Sequence, residues 1–537
     1  MAETARQIRF SLPPPEGGRF AGWTEAATFT ISPDGSTLAF VADDGKGPRI
    51  FLRPLSSLQS KAQEGTQGAL GPFWSPDGKS LGFFADQKLK RLDLGSGTTF
   101  PICNVRAGPG ITGTWGADGQ ILFASIDGRG IFRVSVAGGE PALERVRQPE
   151  AGIQRVVWPS FLPDGRRYLY LIRRPDRTYH IVLGDPGAAS REVLASDSFA
   201  QYVAPGYLVF ARDGTLLAQR FDATTGRVSG EPSAIAQPVA SFGTVGWAAF
   251  AVSPQDVLAF ASPGNRARLH WFDRAGGHEA LESTASMLWV RFSPDGRRAL
   301  FNREDPRTGN LDIWSLDLAR GVEGRVTADP DTETAGLLLP DGTLVYSDPR
   351  GASPQIVRRD LGTGETRELT PEGSFQMAQD LSPDGQTLVF AERVNYGAWD
   401  LFTIPTGGGP VTPLLTTPFD EIDLRLSPDG RFAAFVSNEP GRAEVYVAPF
   451  PNLGQRTRVT QDGARTPRWS RDGRELFYLT ADRRLVAVPV HPGASLVLGA
   501  PRTLFALQGQ HAWATYDVAP DGRFLAIVPE ALASEQP

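Results

Sequence analysis

Residue types able to do chemistry are sparse in this chain, and their spacing suits little chemistry. The five histidines are His180, His270, His278, His491 and His511. No two of them stand two residues apart within a strand, the spacing that puts both on one face. A metal-dependent lyase, which gathers several His or carboxylate ligands, therefore finds no ligand set. A serine peptidase of the nucleophile-elbow type needs Gly-x-Ser-x-Gly, and that pentapeptide does not occur. Phosphoryl transfer needs a Gly-rich phosphate loop with His-Arg-Asp and Asp-Phe-Gly segments, which are also missing. The single cysteine, Cys103, allows neither an intramolecular disulfide nor a cysteine zinc site, and reads as a small buried apolar residue. One acid does recur, at Asp34, Asp77, Asp118, Asp164, Asp295, Asp341, Asp384, Asp429, Asp472 and Asp521. Calcium loops collect several oxygens within about a dozen residues. These carboxylates come one at a time, so turn capping is their expected role. No cofactor, metal or catalytic residue is expected.

The element that holds each of these acids is a tight turn. "ISPDGSTLAF" (31–40) returns as "WSPDGKSLGF", "FSPDGRRALF", "LSPDGQTLVF" and "LSPDGRFAAF". Pro presets φ, Asp accepts backbone hydrogen bonds and Gly takes positive φ without steric cost. Apolar alternation on both sides predicts a hairpin. The turn glycine recurs from Gly35 to Gly522 with a mean period of about 44 residues, Asp256 filling one gap, which makes twelve units. That period suits four-stranded propeller blades, and no useful 3.6-residue periodicity supports helical repeats. Residues 420–460 show a full unit: "DEIDLRLS", "RFAAFVS", "AEVYVAPF" and "TRVTQ" as strands A to D.

The segments 207–236 and 476–506 resemble each other and share a longer C to D connection, and each is followed by a shorter hairpin. Units five and six thus match eleven and twelve, as expected from duplication of a six-blade module. The last unit stops after strand B, leaving an edge that folded proteins cover. Residues 267–282 can supply its outer strands, and "RQIRFSLP" (6–13) can add a strand to the sixth blade. The expected architecture is all-β: two tandem six-bladed propellers of four-stranded antiparallel blades, 6–264 and 266–530, each closed by its amino-terminal strands, with a tail at 531–537. A five-plus-seven split and a single open array are the alternatives.

Composition agrees with a soluble globular protein, at 41% hydrophobic and 21% charged residues, with 59 Gly and 44 Pro for turns. No apolar run reaches membrane-helix length. A net charge of -6 without a basic block argues against nucleic-acid binding. "MAETARQIRF" lacks the pattern of a secretory signal. The expectation is a cytoplasmic protein, or a leader or anchor carried by a longer parent chain.

The "W/FSPDG...LAF" phrase, followed by "DIWSLDL" (312–318) or "DLFTIPT" (400–406), resembles the PD40, WD40-like repeat of TolB-type β-propellers over essentially the whole chain. Within that group "REDPRTGNLDIWSLDLARG" (303–321), "TPFDE" (417–421), "VSNEPGRAEVYVAPFP" (436–451) and "RDGRELFYL" (471–479) are most similar to the tandem propeller region of bacterial receptor-type serine/threonine kinases. The resemblance implies a bacterial periplasmic or otherwise extracytoplasmic sensor domain. The resemblance is to the TolB propeller and not to the small α/β domain that precedes it there.

Propeller strands are committed to packing, so function is expected on loops. The B to C loops concentrate Arg, acidic and aromatic residues, the types enriched at binding hot spots. Candidates are Arg174, Arg177 and Tyr179 in the first half. In the second half they are Arg303, Asp305, Arg307, Asp348, Arg350, Asn395, Tyr396, Trp399, Glu439 and Arg442. Singly, each equally suits a solvated loop with local charge pairing. Trp74, Trp289, Trp314, Trp399 and Trp469 recur at strand positions, where packing between blades is their expected work. The expected function is a noncatalytic, monomeric sensor or scaffold for a protein or peptide ligand, or an envelope glycan, with no nucleic-acid partner. The alternative is a propeller lyase or hydrolase with a polar site at a channel mouth.

Overall fold

A computed structural model describes residues 11–529 apart from 17, 21–27, 45, 106–110, 126–127, 129, 147, 149–150, 263–266, 286, 306–309, 330, 350–353, 372–374, 394–397, 492, 494–495 and 508–515. Among the described residues the regular elements are β-strands, with short 3-10 turns such as Gly243–Val245. Most strands form four-stranded antiparallel sheets in simple chain order, the architecture of β-propeller blades.

The recurring turn explains itself at atomic level. In the first copy Ser32 Oγ donates to Asp34 Oδ1 at 2.5 Å, and the same oxygen accepts the Ser36 N–H at 3.0 Å. Ser32 Oγ in turn accepts the Thr37 N–H at 2.9 Å, and Gly35, at φ +71°, donates to the Ser32 carbonyl at 2.8 Å. The arrangement repeats at Ser75–Ser80, Ser293–Arg298, Ser382–Thr387, Ser427–Phe432 and Ser470–Glu475. Asp256, which replaces the glycine in one unit, adopts the same left-handed backbone at φ +59°. The Ser32 hydroxyl and then the Ser36 amide hold the Asp34 carboxyl down at about 2, so it stays a full acceptor.

Behind three of the turns the second strand stacks an aromatic ring on one from the third. Phe40 is in register with Phe51, Phe390 with Phe402 and Phe435 with Tyr446, with centroids 5.9, 5.6 and 5.8 Å apart. A threonine at the far end of the unit ties down strand C. Thr66, Thr327, Thr370 and Thr460 accept the N–H groups of Ile50, Ile313, Ile356 and Val445 at 2.9–3.0 Å.

Innermost strands of neighbouring sheets touch in each half. Phe29–Ile31 lies against Leu70–Trp74 on one side and Phe250–Val252 on the other. Met287–Phe292 lies against Thr334–Leu338 and Tyr516–Val518. The final sheet runs His278–Ala285, Ala267–Phe272, Phe524–Pro529, Tyr516–Val518, with Leu269 opposite Ile527. Leu269, Leu525 and Ile527 share one buried cluster with Met287 and Val290 of the neighbouring sheet.

Two details differ from expectation. Residues 6–10 lie outside the described residues, and 11–13 form no strand; Leu12 packs instead on the cluster of Ile31, Phe40 and Ala251. The added strand is Arg19–Phe20, and it joins the first sheet at Ala42 and Asp43, where the three-residue inner strand Phe29–Ile31 leaves that edge uncovered. The longer C to D connections are also lengthened strands rather than loops. Thr215–Asp222 pairs with Arg227–Ala236, and Arg484–His491 pairs with both Val497–Leu498 and Arg502–Ala506.

Candidate functional site

The loop residues singled out by type are tied to local partners or buried wherever they are described. Arg174 pairs with Glu192 at 2.6 Å. Arg303 pairs with Glu323 at 3.1 Å and lies 4.6 Å from the Trp314 ring centroid. Glu439 accepts from Arg456 at 2.9 Å, and Arg442 from its exposed loop reaches Glu444 at 2.8 Å. The Asp305 N–H donates to the Asn310 carbonyl. Tyr179, Asp348 and Trp399 are buried, so they are packing residues and not part of an open face. Arg307, Arg350, Asn395 and Tyr396 lie outside the described residues.

Arg177 does something else. Its Nε sits 3.3 Å from Asp331 Oδ2, and the fully buried Arg173 next to it hydrogen-bonds Asp331 Oδ1. This contact joins residues of the first half to the second. Just beyond it Glu333 is wholly buried. Burial first, then the charges of Asp329 and Asp312, push its carboxyl up to about 9.

Other reactive types are muted. Cys103 is half-buried, and burial pushes its thiol up to about 11. His270 and His278 lie on the two closing strands with ring centroids 5.4 Å apart. Among the described residues no three His, Cys, Asp or Glu side chains come together in a way that could hold a metal ion.

Two hubs, where the inner strands converge, hold the remaining chemistry. Sequence reasoning missed the device that shapes them. Four residues before the first turn residue, the inner strand bulges into left-handed backbone, at Gly71, Trp158, Trp289, Ala335, Asp423 and Thr466 (φ +45° to +57°). The register shifts there in each strand. Such bulges re-aim side chains and are common beside sites. Two residues further on comes the position that faces the hub.

In the first hub that position carries Thr30, Phe73, Thr114 and Ser160, beside a cavity of about 300 Å³. Its lining includes Trp74, Trp115, Trp158 and Trp247 and, among the described residues, contains no charged residue, histidine or cysteine. The walls are fixed: Trp158 Nε1 donates to the Val245 carbonyl at 2.6 Å, and Phe199 stacks on Phe250 at 4.7 Å.

In the second hub the same position carries Arg291, Leu337, Asp380, Arg425, Arg468 and Asp517. Arg291 pairs with Asp380 at 2.6 Å, and Asp423 is 3.2 Å from both Arg425 and Arg468. Asp380 and Asp517 also accept the Leu426 and Phe292 N–H groups of neighbouring sheets, each at 2.8 Å. Burial works against the Asp423 carboxylate, but Arg468 and Arg425 outweigh it and hold the group below the usual range. The two arginines fare differently. Arg468, between Asp423 and Asp517, is raised despite its burial, while burial and the facing Arg291 and Arg468 push Arg425 well down.

The strands, sheets and turns make this a β-propeller protein, and parts of it are similar in sequence to known propeller proteins. A 172-residue stretch, 30% of the chain, is 30% identical to Protein TolB homolog of Chlorobium chlorochromatii and spans 38% of that protein. Over 165 residues it is 28% identical to Tricorn protease homolog 1 of Streptomyces coelicolor, spanning 15% of it. The chain thus spans well under two thirds of these relatives. A solved TolB-type chain from Agrobacterium tumefaciens aligns with 50% of this chain and all of its own length at 21% identity and a TM-score of 0.42. No family profile matches. No described helix is long and apolar enough to cross a membrane.

Proposed function

We propose that this chain is a noncatalytic binding module: two closed rings of six blades, 6–264 and 266–530, acting as an extracytoplasmic sensor or scaffold that holds a peptide segment of a protein partner in the first hub. The contacts from inner strand to inner strand, which run from Met287–Phe292 round to Tyr516–Val518 and back, and those of Phe29–Ile31 with Leu70–Trp74 and Phe250–Val252, support the paired rings. The resemblance of the repeats to the TolB group and to receptor-kinase propellers supports the sensor role and its place outside the cytoplasm.

The cavity of about 300 Å³ carries the functional reading. Its lining pairs indole and phenyl faces with small hydroxyls, surfaces that bury apolar side chains while hydrogen-bonding a peptide backbone. Among the described residues it offers no base to activate Ser160 and no carboxylate pair for acid–base work. Titrating tryptophan fluorescence with neutral aromatic or proline-containing peptides should give saturable binding, weakened about tenfold or more in Trp115→Ala. Arg442→Ala, out on its loop, should leave it unchanged. Loss of binding only in the loop variant, or response only to glycan fragments, would refute the peptide-in-hub reading.

A further inference from the structure

We infer that the second hub contains a binding subsite for a carboxylate monoanion, seated against Arg425 and Arg291. A cavity of about 40 Å³ opens there, lined by Trp289, Arg291, Asn302, Gln379, Asp423 and Arg425 among others. That volume admits one small planar group and little more. Arg425 is nine-tenths buried, yet its Nε–H has no hydrogen-bond acceptor in the protein. Its other contacts are spent elsewhere: Nη1 donates to the Gln379 and Leu424 carbonyls, and Nη2 faces Asp423. In the same cluster the Nη2 of the buried Arg468 is likewise without an acceptor. Native structures rarely leave such donors unmet, because a buried guanidinium N–H surrenders water without recovering a bond.

Charge selects the ligand. Two guanidiniums line the cavity against one carboxylate, Asp423, and Asp380 pairs with Arg291 behind it. The unpaired Nε–H of Arg425 faces one added negative charge, whereas the two carboxylates oppose a dianion such as phosphate. A planar carboxylate also matches the guanidinium fork, which a spherical halide does not. The rest of the lining includes Leu337, Met377 and Ile422, so the carboxylate arrives on an apolar stem. A short organic acid and the free carboxy terminus of a peptide share that chemistry. This subsite belongs to the second hub and stands apart from the peptide reading of the first.

The test is ligand-observed NMR with propionate, with a pentapeptide ending in leucine, with the same peptide amidated, and with inorganic phosphate and chloride as competitors. Saturable binding of propionate, the free-terminus peptide or both is expected, and none of the amide. Propionate alone assigns the source to organic acids, and a tighter peptide assigns it to chain termini. Arg425→Lys, which keeps the charge but loses the fork, should weaken binding about tenfold. Asp423→Asn, which removes the competing charge, should tighten it several-fold; should Arg425→Lys not fold, Arg291→Lys takes its place and should weaken binding likewise. Absence of saturable binding by either carboxylate overturns the proposal. So does binding that no folded variant alters, or equal competition by phosphate or chloride.

Discussion

At the residue scale, the buried groups between the two halves make the sharpest statement. Glu333 holds its proton in the folded protein up to about 9, against 4.5 in an open chain. A carboxylic acid raised in this way stabilises the fold fully below the open-chain value, and that contribution drains away as pH climbs towards the folded one. Glu333→Gln cannot ionise. Its melting temperature should match the parent at pH 4 and exceed it at pH 8, by a margin of the order of a few kcal/mol in stability. Thermal melts at the two pH values check this, and an unchanged difference would place Glu333 in a wetter site. Individual residues were the least legible level of the sequence. "LIRRPDRTYH" displays Arg174, Arg177 and Tyr179 with equal prominence. Nothing local distinguishes Arg173, which is buried against Asp331 more than a hundred and fifty positions away, from a solvated neighbour.

Elements were legible where their chemistry is local. Ser, Pro, Asp and Gly each do one job within a few residues, so the turn and the two strands flanking it follow from composition alone. The inner-strand bulge left no such mark, because only Gly71 among its left-handed residues is a glycine. Ala335 at φ +55° carries a strained backbone, costing about 1–3 kcal/mol where nothing compensates. Ala335→Gly should therefore raise stability by up to about 1 kcal/mol in urea unfolding, and the β-branched Ala335→Val should lower it. A destabilised glycine variant would mean that the alanine methyl, not the bulge, matters there. The hub charges, by contrast, were readable. They stand two residues before the turn in "VRFSPDG", "QDLSPDG", "LRLSPDG", "PRWSRDG" and "YDVAPDG". Comparing that one column across the repeats separates the charged hub from the hydroxyl-lined one.

For the whole molecule, the period of the turn announces the four-stranded sheets, and the contact between the halves is the part no repeat can announce. Arg173 and Asp331 are almost wholly buried. Removing one charge from such a pair strands the other, at a cost of about 3–5 kcal/mol, while replacing both by apolar groups is often neutral. Asp331→Leu alone should lower the urea midpoint strongly, and Arg173→Met with Asp331→Leu should recover most of the loss. Equal loss in the single and double variants would show that the contact does not depend on charge pairing.

Everything proposed for the second hub requires that its sheets be sealed, and the seal is the pairing of Ala267–Phe272 with Phe524–Pro529. Native-state hydrogen exchange measures it directly. Amides of those two strands should open together, with the same free energy as Met287–Phe292 beside them. Exchange of 267–272 at the rate of an unstructured segment, while 287–292 stays protected, would contradict the closed ring.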